Sequence, residues 1–144
     1  MATEAEHIDS ANRTQQTIVH LLSDSKVHSP WIAITAFYKA LHIVEAGFAS
    51  DRSIRHTSNH GERESTLKRT RKFENVARNY LPLQRISENA RYMSQTACFD
   101  DFMSPDNVVD DCLKHYLKQI EASVRKMLKN PDTLVGIDTA FVAR

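Results

Sequence analysis

A stripe of large apolar side chains that keeps the helical period for about five turns constrains this chain more than any other feature. After Ser29 and Pro30, the stripe consists of Trp31, Ile34, Phe37, Tyr38, Leu41, Val44 and Phe48. Steps of three and four residues place such side chains on one face of an α-helix. Ser29 is suited to cap this helix and Pro30 to occupy its first turn, so we expect the helix to begin there. A helix this apolar must be covered by others, and we predict that it forms the centre of the core, with Trp31 buried.

Residues that make tight turns are scarce. The 144 residues include only 3 glycines and 4 prolines, whereas an all-β chain of this length needs many turns. Helical periodicity also predicts helices over residues 9–23, 60–72, 73–94 and 105–129. The chain is long enough for one core and too short for two. We therefore predict an all-α fold, an antiparallel bundle of four or five helices, in a single domain over residues 1–144 with a core at about 8–129 and a C-terminal tail at 130–144.

The composition also bears on location and on metal chemistry. Residues 1–10 are polar and acidic, and no segment approaches the roughly 20 apolar residues that span a bilayer. Cys98 and Cys112 share no CxxC spacing, so we expect two free thiols, buried or half-buried. These features predict a cytoplasmic protein without a membrane segment, a bound metal or a cofactor.

Charge is distributed unevenly along the chain, although the formal net charge is only +1. Residues 1–51 carry 3 Lys/Arg and 6 Asp/Glu, residues 52–91 carry 10 and 4, and residues 92–144 carry 6 and 8. The basic middle segment begins in a polar stretch, Ser50 to Asn59, that we predict to be a loop, with Ser58 or Asn59 as cap of the next helix. Such a segment attracts phosphate, or it is simply a solvated face.

The order of short motifs resembles the HEPN superfamily, especially its small bacterial and archaeal members. The motifs are Ala36-Phe37-Tyr38-Lys39-Ala40-Leu41-His42, Asn59-His60-Gly61, Ala90-Arg91-Tyr92 and, after an acidic linker, Ser104-Pro105. The resemblance covers residues 10–128. It implies a helical bundle that is often a homodimer, in a superfamily associated with RNA cleavage, toxin–antitoxin modules, defence systems and nucleotidyltransferase partners.

The resemblance also implies a site. Catalytic members use an arginine followed at short distance by a histidine, and Arg55 and His60 match that spacing. A guanidinium can neutralise a phosphate and an imidazole can transfer a proton near neutral pH. We therefore expect Arg55 and His60 as the catalytic pair, without a metal. The expected ligand-binding residues are Arg52, His56, Asn59, Arg63, His42 and Arg91.

Three functions follow as hypotheses. The first is binding of RNA or a nucleotide-bearing partner, a cognate antitoxin or nucleotidyltransferase, through residues 52–72, with Tyr80 or Tyr92 available to stack on a base. The second is a structural or protein-interaction module that contacts an acidic partner. The third is a metal-independent endoribonuclease.

Individual residues keep alternative interpretations. His56 and His60 are four positions apart, as two metal ligands on one helix face would be, or they form a cap or a hydrogen-bonded surface pair. His42 is either a hydrogen-bonded core histidine or a neighbour of the site. The four tyrosines all fall on predicted buried stripes, so packing in the core is their other interpretation.

Overall fold

The computed structural model describes residues 2–92 and 98–142, and every regular element in these ranges is helical. The longer helices are α1 (Glu4–Leu21), α2 (Ser25–Ala49), α3 (His60–Arg69) and α4 (Glu74–Tyr92), followed by the short α5 (Phe99–Phe102). The last helix, α6, comprises an α-helical turn (Pro105–Asn107), a π-helical stretch (Val108–Leu117) and an α-helical end (Lys118–Arg125). The predicted all-α class and helical bundle are confirmed.

Helix α2 begins five residues earlier than predicted, with Asp24 as its cap in place of Ser29. The Asp24 carboxylate accepts a hydrogen bond from the backbone N–H of Val27 at 3.4 Å and caps the helix. The predicted cap, Ser29, is instead buried within α2, where its hydroxyl donates to Asp100 at 2.8 Å. Pro30 lies inside the helix. The prediction was wrong because an acidic cap one turn upstream satisfies the free N–H groups equally well.

Helix α1 also begins five residues earlier than predicted, at Glu4, because Thr3 caps it, whereas other helix ends follow the sequence signals more closely. The Ser104 hydroxyl accepts from the N–H of Asn107 at 3.2 Å, and Pro105 occupies the first turn of α6, as predicted. Helix α4 continues through Pro82 to Tyr92. Its predicted end at Ser94 lies outside the described residues, as do residues 95–97. Within the linker that we expected to be irregular over residues 95–103, Phe99–Phe102 form a short helix.

Helix α2 occupies the centre of the bundle and packs against α1, α4 and α6. Phe37, Phe73 and Tyr80 are among the largest side chains buried there. Trp31, predicted to be buried, is 60% exposed. Apolar side chains surround α2 on nearly all sides, so the sequence period identifies a helix without showing which side its neighbours leave uncovered.

The C-terminal residues pack on the same core. Leu134 and Ile137 are buried, and the Arg125 guanidinium donates to the carbonyls of Pro131 at 2.7 Å and Leu134 at 3.0 Å. Residues 131–142 therefore cover one side of the bundle. Cys112 is buried, as predicted, and burial raises its pKa to about 12, whereas Cys98 is exposed.

An ion pair holds this side of the bundle together. The Lys39 ammonium lies 2.6 Å from the Glu121 carboxylate and also donates to Gln15 Oε1 at 2.7 Å and to the Val135 carbonyl at 2.9 Å. Glu121 in turn accepts from the N–H of Ile137 at 2.9 Å. Burial lowers the pKa of Lys39, and the attraction of Glu121 opposes that effect. The pair thus joins α2, α6 and the C-terminal segment.

One continuous stretch, Glu4–Ala49, is long and apolar enough to cross a membrane by length and composition. It contains α1 and α2, and 67% of its most apolar window is buried inside the fold. The core helix of a soluble protein meets the same criterion.

Candidate functional site

A cleft of about 1190 Å³ opens between the beginning of α1, the end of α2, the loop 50–59 and α3. This volume lies somewhat above the range of about 300–1,000 Å³ found for small-molecule sites. The polar and charged side chains around it are Thr3, Glu4, His7, Glu45, Asp51, Arg52, Arg55, His56, Thr57, Glu62, Ser65, Thr66, Arg69, Lys129 and Asn130. The cleft thus contains much of the basic segment.

The first half of the loop is held by Asp51. Its carboxylate pairs with the Lys72 ammonium and accepts from the backbone N–H of Ser53 at 2.9 Å and from its hydroxyl at 2.7 Å. Lys72 and Ser53 together hold the pKa of Asp51 well below its usual range. These contacts fix the backbone immediately before Arg52 and Arg55.

A buried carboxylate forms the floor of the cleft. Glu45 of α2 accepts from Arg63 Nε at 2.7 Å and from the Thr57 hydroxyl, and all three side chains are largely buried. Two donors, one of them charged, offset the cost of burying the glutamate charge. This triad of Glu45, Thr57 and Arg63 fixes the end of the loop and helix α3 to α2.

Helix α3 begins with a reciprocal cap. The Asn59 side chain accepts from the N–H of Glu62 at 2.9 Å, and the Glu62 carboxylate accepts from the N–H of Ser58 at 2.8 Å. Asn59 is therefore the N-cap, as predicted. The hydrogen bonds from Ser58 lower the pKa of Glu62. Asn59, expected to bind ligand, uses its amide oxygen to position His60.

His60 lies at the first position of α3 and turns towards α2 and α4. Its ring is 5.8 Å from that of Phe37, and Arg63 Nη1 lies 3.2 Å from its Nδ1. Desolvation lowers the pKa of His60, the charges of Arg63 and Arg91 lower it further, and Glu88 opposes them. Because arginine can only donate, Nδ1 accepts, and the neutral ring carries its proton on Nε2.

His7, which lines the cleft, lies close to His42 of α2. The rings of His7 and His42 are 5.9 Å apart, and burial lowers the pKa of both. In the described part of the chain, His42 Nδ1 is buried without a hydrogen-bond partner. His42 is thus half-buried beside the cleft, and the expected bond to its Nδ1 is missing.

The tyrosines divide into two groups. Tyr80 is buried against Phe37, and burial raises its pKa to about 12. Tyr38 and Tyr92, which the sequence also placed on buried stripes, are exposed. Arg91 joins them, since its Nη1 lies 3.4 Å from the Tyr38 hydroxyl and its guanidinium carbon 5.5 Å from the centre of the Tyr92 ring.

The structure thus separates the residues of the expected site. Arg52, Arg55 and His56 lie along the exposed loop in the cleft. His60 is hydrogen-bonded to Arg63 and not to its expected partner Arg55, which lines the cleft. His56 lies in the loop, so the helical spacing that suggested two metal ligands does not apply. Over residues 2–92 and 98–142, no group of three or more His, Cys, Asp or Glu side chains is arranged to hold a metal ion.

Sequence reasoning missed Glu45 and Thr57 as parts of the site. A lone carboxylate in the apolar run of α2 was the available signal for Glu45, because buried charges need a partner. Thr57 resembled any other polar loop residue. Lys129 and Glu4 reach the cleft only through the packing of distant segments.

Comparison with known proteins adds no family. No protein-family model matches this chain, and no curated protein or solved structure matches it.

Proposed function

We propose that this protein is a HEPN-like helical bundle that binds RNA, or a nucleotide-bearing partner, through the cleft and the basic segment 52–72. The proposal includes self-association and a cytoplasmic role beside a cognate antitoxin or nucleotidyltransferase. The proposal is supported by the arginines that line the cleft, which have no ion-pair partner among the residues that the structure describes.

The cations of the cleft are uncompensated, whereas its carboxylates are engaged. Within the described ranges, no carboxylate forms an ion pair with the guanidinium groups of Arg52, Arg55 or Arg69. The four carboxylates are all occupied: Glu45 by Arg63, Asp51 by Lys72, Glu62 by Ser58, and Glu4 by the backbone N–H groups of Lys129 and Asn130.

A phosphate entering the cleft therefore meets free guanidinium groups, while two of the carboxylates, Glu45 and Asp51, are neutralised by cations and the other two are hydrogen-bonded within the protein. Guanidinium groups bind phosphate oxygens with two parallel hydrogen bonds, which is the geometry favoured in nucleic-acid recognition. His60 supplies a further donor beside the cleft, which its neighbour Gly61 lines, since its Nε2 carries the proton. This pattern favours a polyanion over an acidic protein helix, which would need a broader complementary surface.

The test is fluorescence anisotropy with a labelled single-stranded RNA over a salt series from about 50 to 200 mM, where phosphate contacts weaken steeply. Arg55→Ala should weaken binding and reduce the slope of log K against log salt by about 0.7, as expected for one lost contact to a single strand. Arg85→Ala is the matched control, because Arg85 is exposed on α4 and lies outside the cleft.

Absence of salt-sensitive RNA binding would contradict the proposal and favour the protein-interaction module. Equal affinities and slopes for Arg55→Ala, Arg85→Ala and the unmodified protein would show that any RNA bound lies elsewhere.

A metal-independent endoribonuclease is a second candidate, favoured by the position of His60 beside two guanidinium groups. The imidazolium form of His60 can donate its Nε2 proton to the leaving 5′-oxygen and return to the neutral ring. Meanwhile the 2′-oxygen attacks the phosphorus, water takes the 2′-hydroxyl proton and Arg91 offsets the phosphate charge. Cleavage of the labelled RNA should disappear in His60→Ala. Equal cutting by His60→Ala, Arg55→Ala and the unmodified protein would identify a contaminating nuclease.

A further inference from the structure

An exposed aromatic patch lies on α2 and the end of α4, away from the loop. It consists of Trp31, Tyr38 and Tyr92 together with Arg91. The side chains of Trp31 and Tyr92 are 60% and 70% exposed, and that of Tyr38 is 38% exposed. Trp31 and Tyr38 are seven residues apart, so they share one face of α2 about two turns apart. Tyr38 and Tyr92 adjoin through Arg91, and contiguous exposed apolar surface marks a site of interaction.

The patch carries a cation that the protein leaves without a full set of partners. Arg91 donates one weak hydrogen bond, 3.4 Å to the Tyr38 hydroxyl, and lies over the Tyr92 ring. Its Nε is buried and, among residues 2–92 and 98–142, has no hydrogen-bond partner. An arginine that lies over one exposed aromatic ring and bonds to the hydroxyl of another resembles the combination of stacking and cation that binds single-stranded nucleic acids.

The patch is continuous with the cleft along two routes. On α2, His42 lies one turn from Tyr38, and its ring lies 5.9 Å from that of His7, which lines the cleft. On α3, His60 contacts Phe37 beside Tyr38, and its neighbour Gly61 lines the cleft. A chain whose phosphates occupy the cleft can therefore pass over the beginning of α3 and reach the aromatic rings.

Charge complementarity favours a nucleic acid over a second copy of this chain. A twofold dimer places a surface against itself, so Arg91, the cation of the patch, would face the Arg91 of the second copy. A polyanion has no such repulsion, and its bases provide the faces that tyrosine and tryptophan contact.

Building on the proposed function, we propose that the aromatic patch is a base-stacking subsite that makes the protein selective for single-stranded RNA. Phosphates bind in the cleft, and unpaired bases stack on Tyr38, Tyr92 and Trp31. A duplex is excluded because its bases are already stacked on one another and offer no free face to these rings.

Trp31 provides a direct readout, since it is the only tryptophan in the chain. Adding single-stranded oligoadenylate of about 12 nucleotides, a length typical of such sites, should quench its fluorescence, and a duplex of equal length should not. Tyr92→Ala should weaken binding of the single strand by about 5-fold or more, the effect of losing one stacked base. Phe141→Ala removes an exposed aromatic ring outside the patch and should leave the affinity unchanged.

The outcomes separate the two proposals. Salt-sensitive binding that depends on Arg55, with unchanged Trp31 fluorescence and a normal affinity for Tyr92→Ala, would overturn the stacking subsite and leave the proposed function intact. Failure to bind any RNA would overturn both. A dimer in sedimentation that Tyr92→Ala converts to monomers would assign the patch to self-association and also overturn this proposal.

Discussion

Replacing Lys39 by methionine tests the buried ion pair that joins α2, α6 and the C-terminal segment. Methionine fills a similar volume and removes only the charge and its donors. The substitution leaves the buried Glu121 carboxylate without its cation and deprives Gln15 Oε1 and the Val135 carbonyl of their donor. Removing one partner of a buried pair typically costs about 3–5 kcal/mol.

This loss is large for a chain of this length. An unfolding entropy of about 2.1 cal/mol/K per residue gives roughly 0.3 kcal/mol/K for the chain, so the melting temperature should fall by roughly 10–17 °C. Urea unfolding followed by far-ultraviolet circular dichroism measures the free energy, and a thermal scan measures the shift. The unfolding slope should remain unchanged if unfolding stays two-state.

Lys118→Met is the matched control. Lys118 pairs with Asp138 at 3.4 Å and therefore also links α6 to the C-terminal segment, but both side chains are more than half exposed. An exposed pair contributes about 0–1 kcal/mol. A difference of less than about 1 kcal/mol between the free energies of unfolding of Lys39→Met and Lys118→Met would show that the buried Lys39–Glu121 pair stabilises the fold no more than an exposed pair does. That result would refute the prediction.

Two further predictions concern α2. Trp31→Ala should change the free energy of unfolding by less than about 1 kcal/mol because the ring is exposed, whereas Phe37→Ala should lower it by about 3–5 kcal/mol. Equal decreases in the free energy of unfolding for the two variants, measured by urea melts, would contradict the assignment of the buried face. Lowered histidine pKa values mean that the unfolded chain takes up protons before the folded one, so stability should fall as pH drops below about 6.5. His42→Asn should make that decline shallower between about pH 7 and pH 5, and an unchanged slope would show that His42 does not contribute.

The sequence was sufficient for the helices because the signals that set them are local. Asn59 and Ser104 bond to N–H groups three residues away, and the apolar periods mark the buried sides of α4 and α6. The start of α2 was misplaced because two capping signals lie within six residues, and tertiary packing, including the bond from Ser29 to Asp100, favours the earlier one.

The candidate site was predicted less completely because its contacts are long-range. The loop and its basic side chains were visible in the sequence, as was the capping role of Asn59. Three associations depend on how helices pack: Glu45 with Arg63, His7 with His42, and Tyr38 with Arg91. The exposure of Trp31 has the same origin, since periodicity cannot distinguish a covered side of an apolar helix from an open one.

The hydrogen bond from the Ile137 N–H to Glu121 makes the C-terminal segment suitable for hydrogen-exchange measurements. Ile137 lies in a single short helical turn, a kind of element that ordinarily frays. Its amide hydrogen points at a carboxylate in the interior, so solvent deuterium reaches it only when this segment separates from α6. Exchange of this one amide therefore measures how readily the C-terminal segment detaches from the bundle.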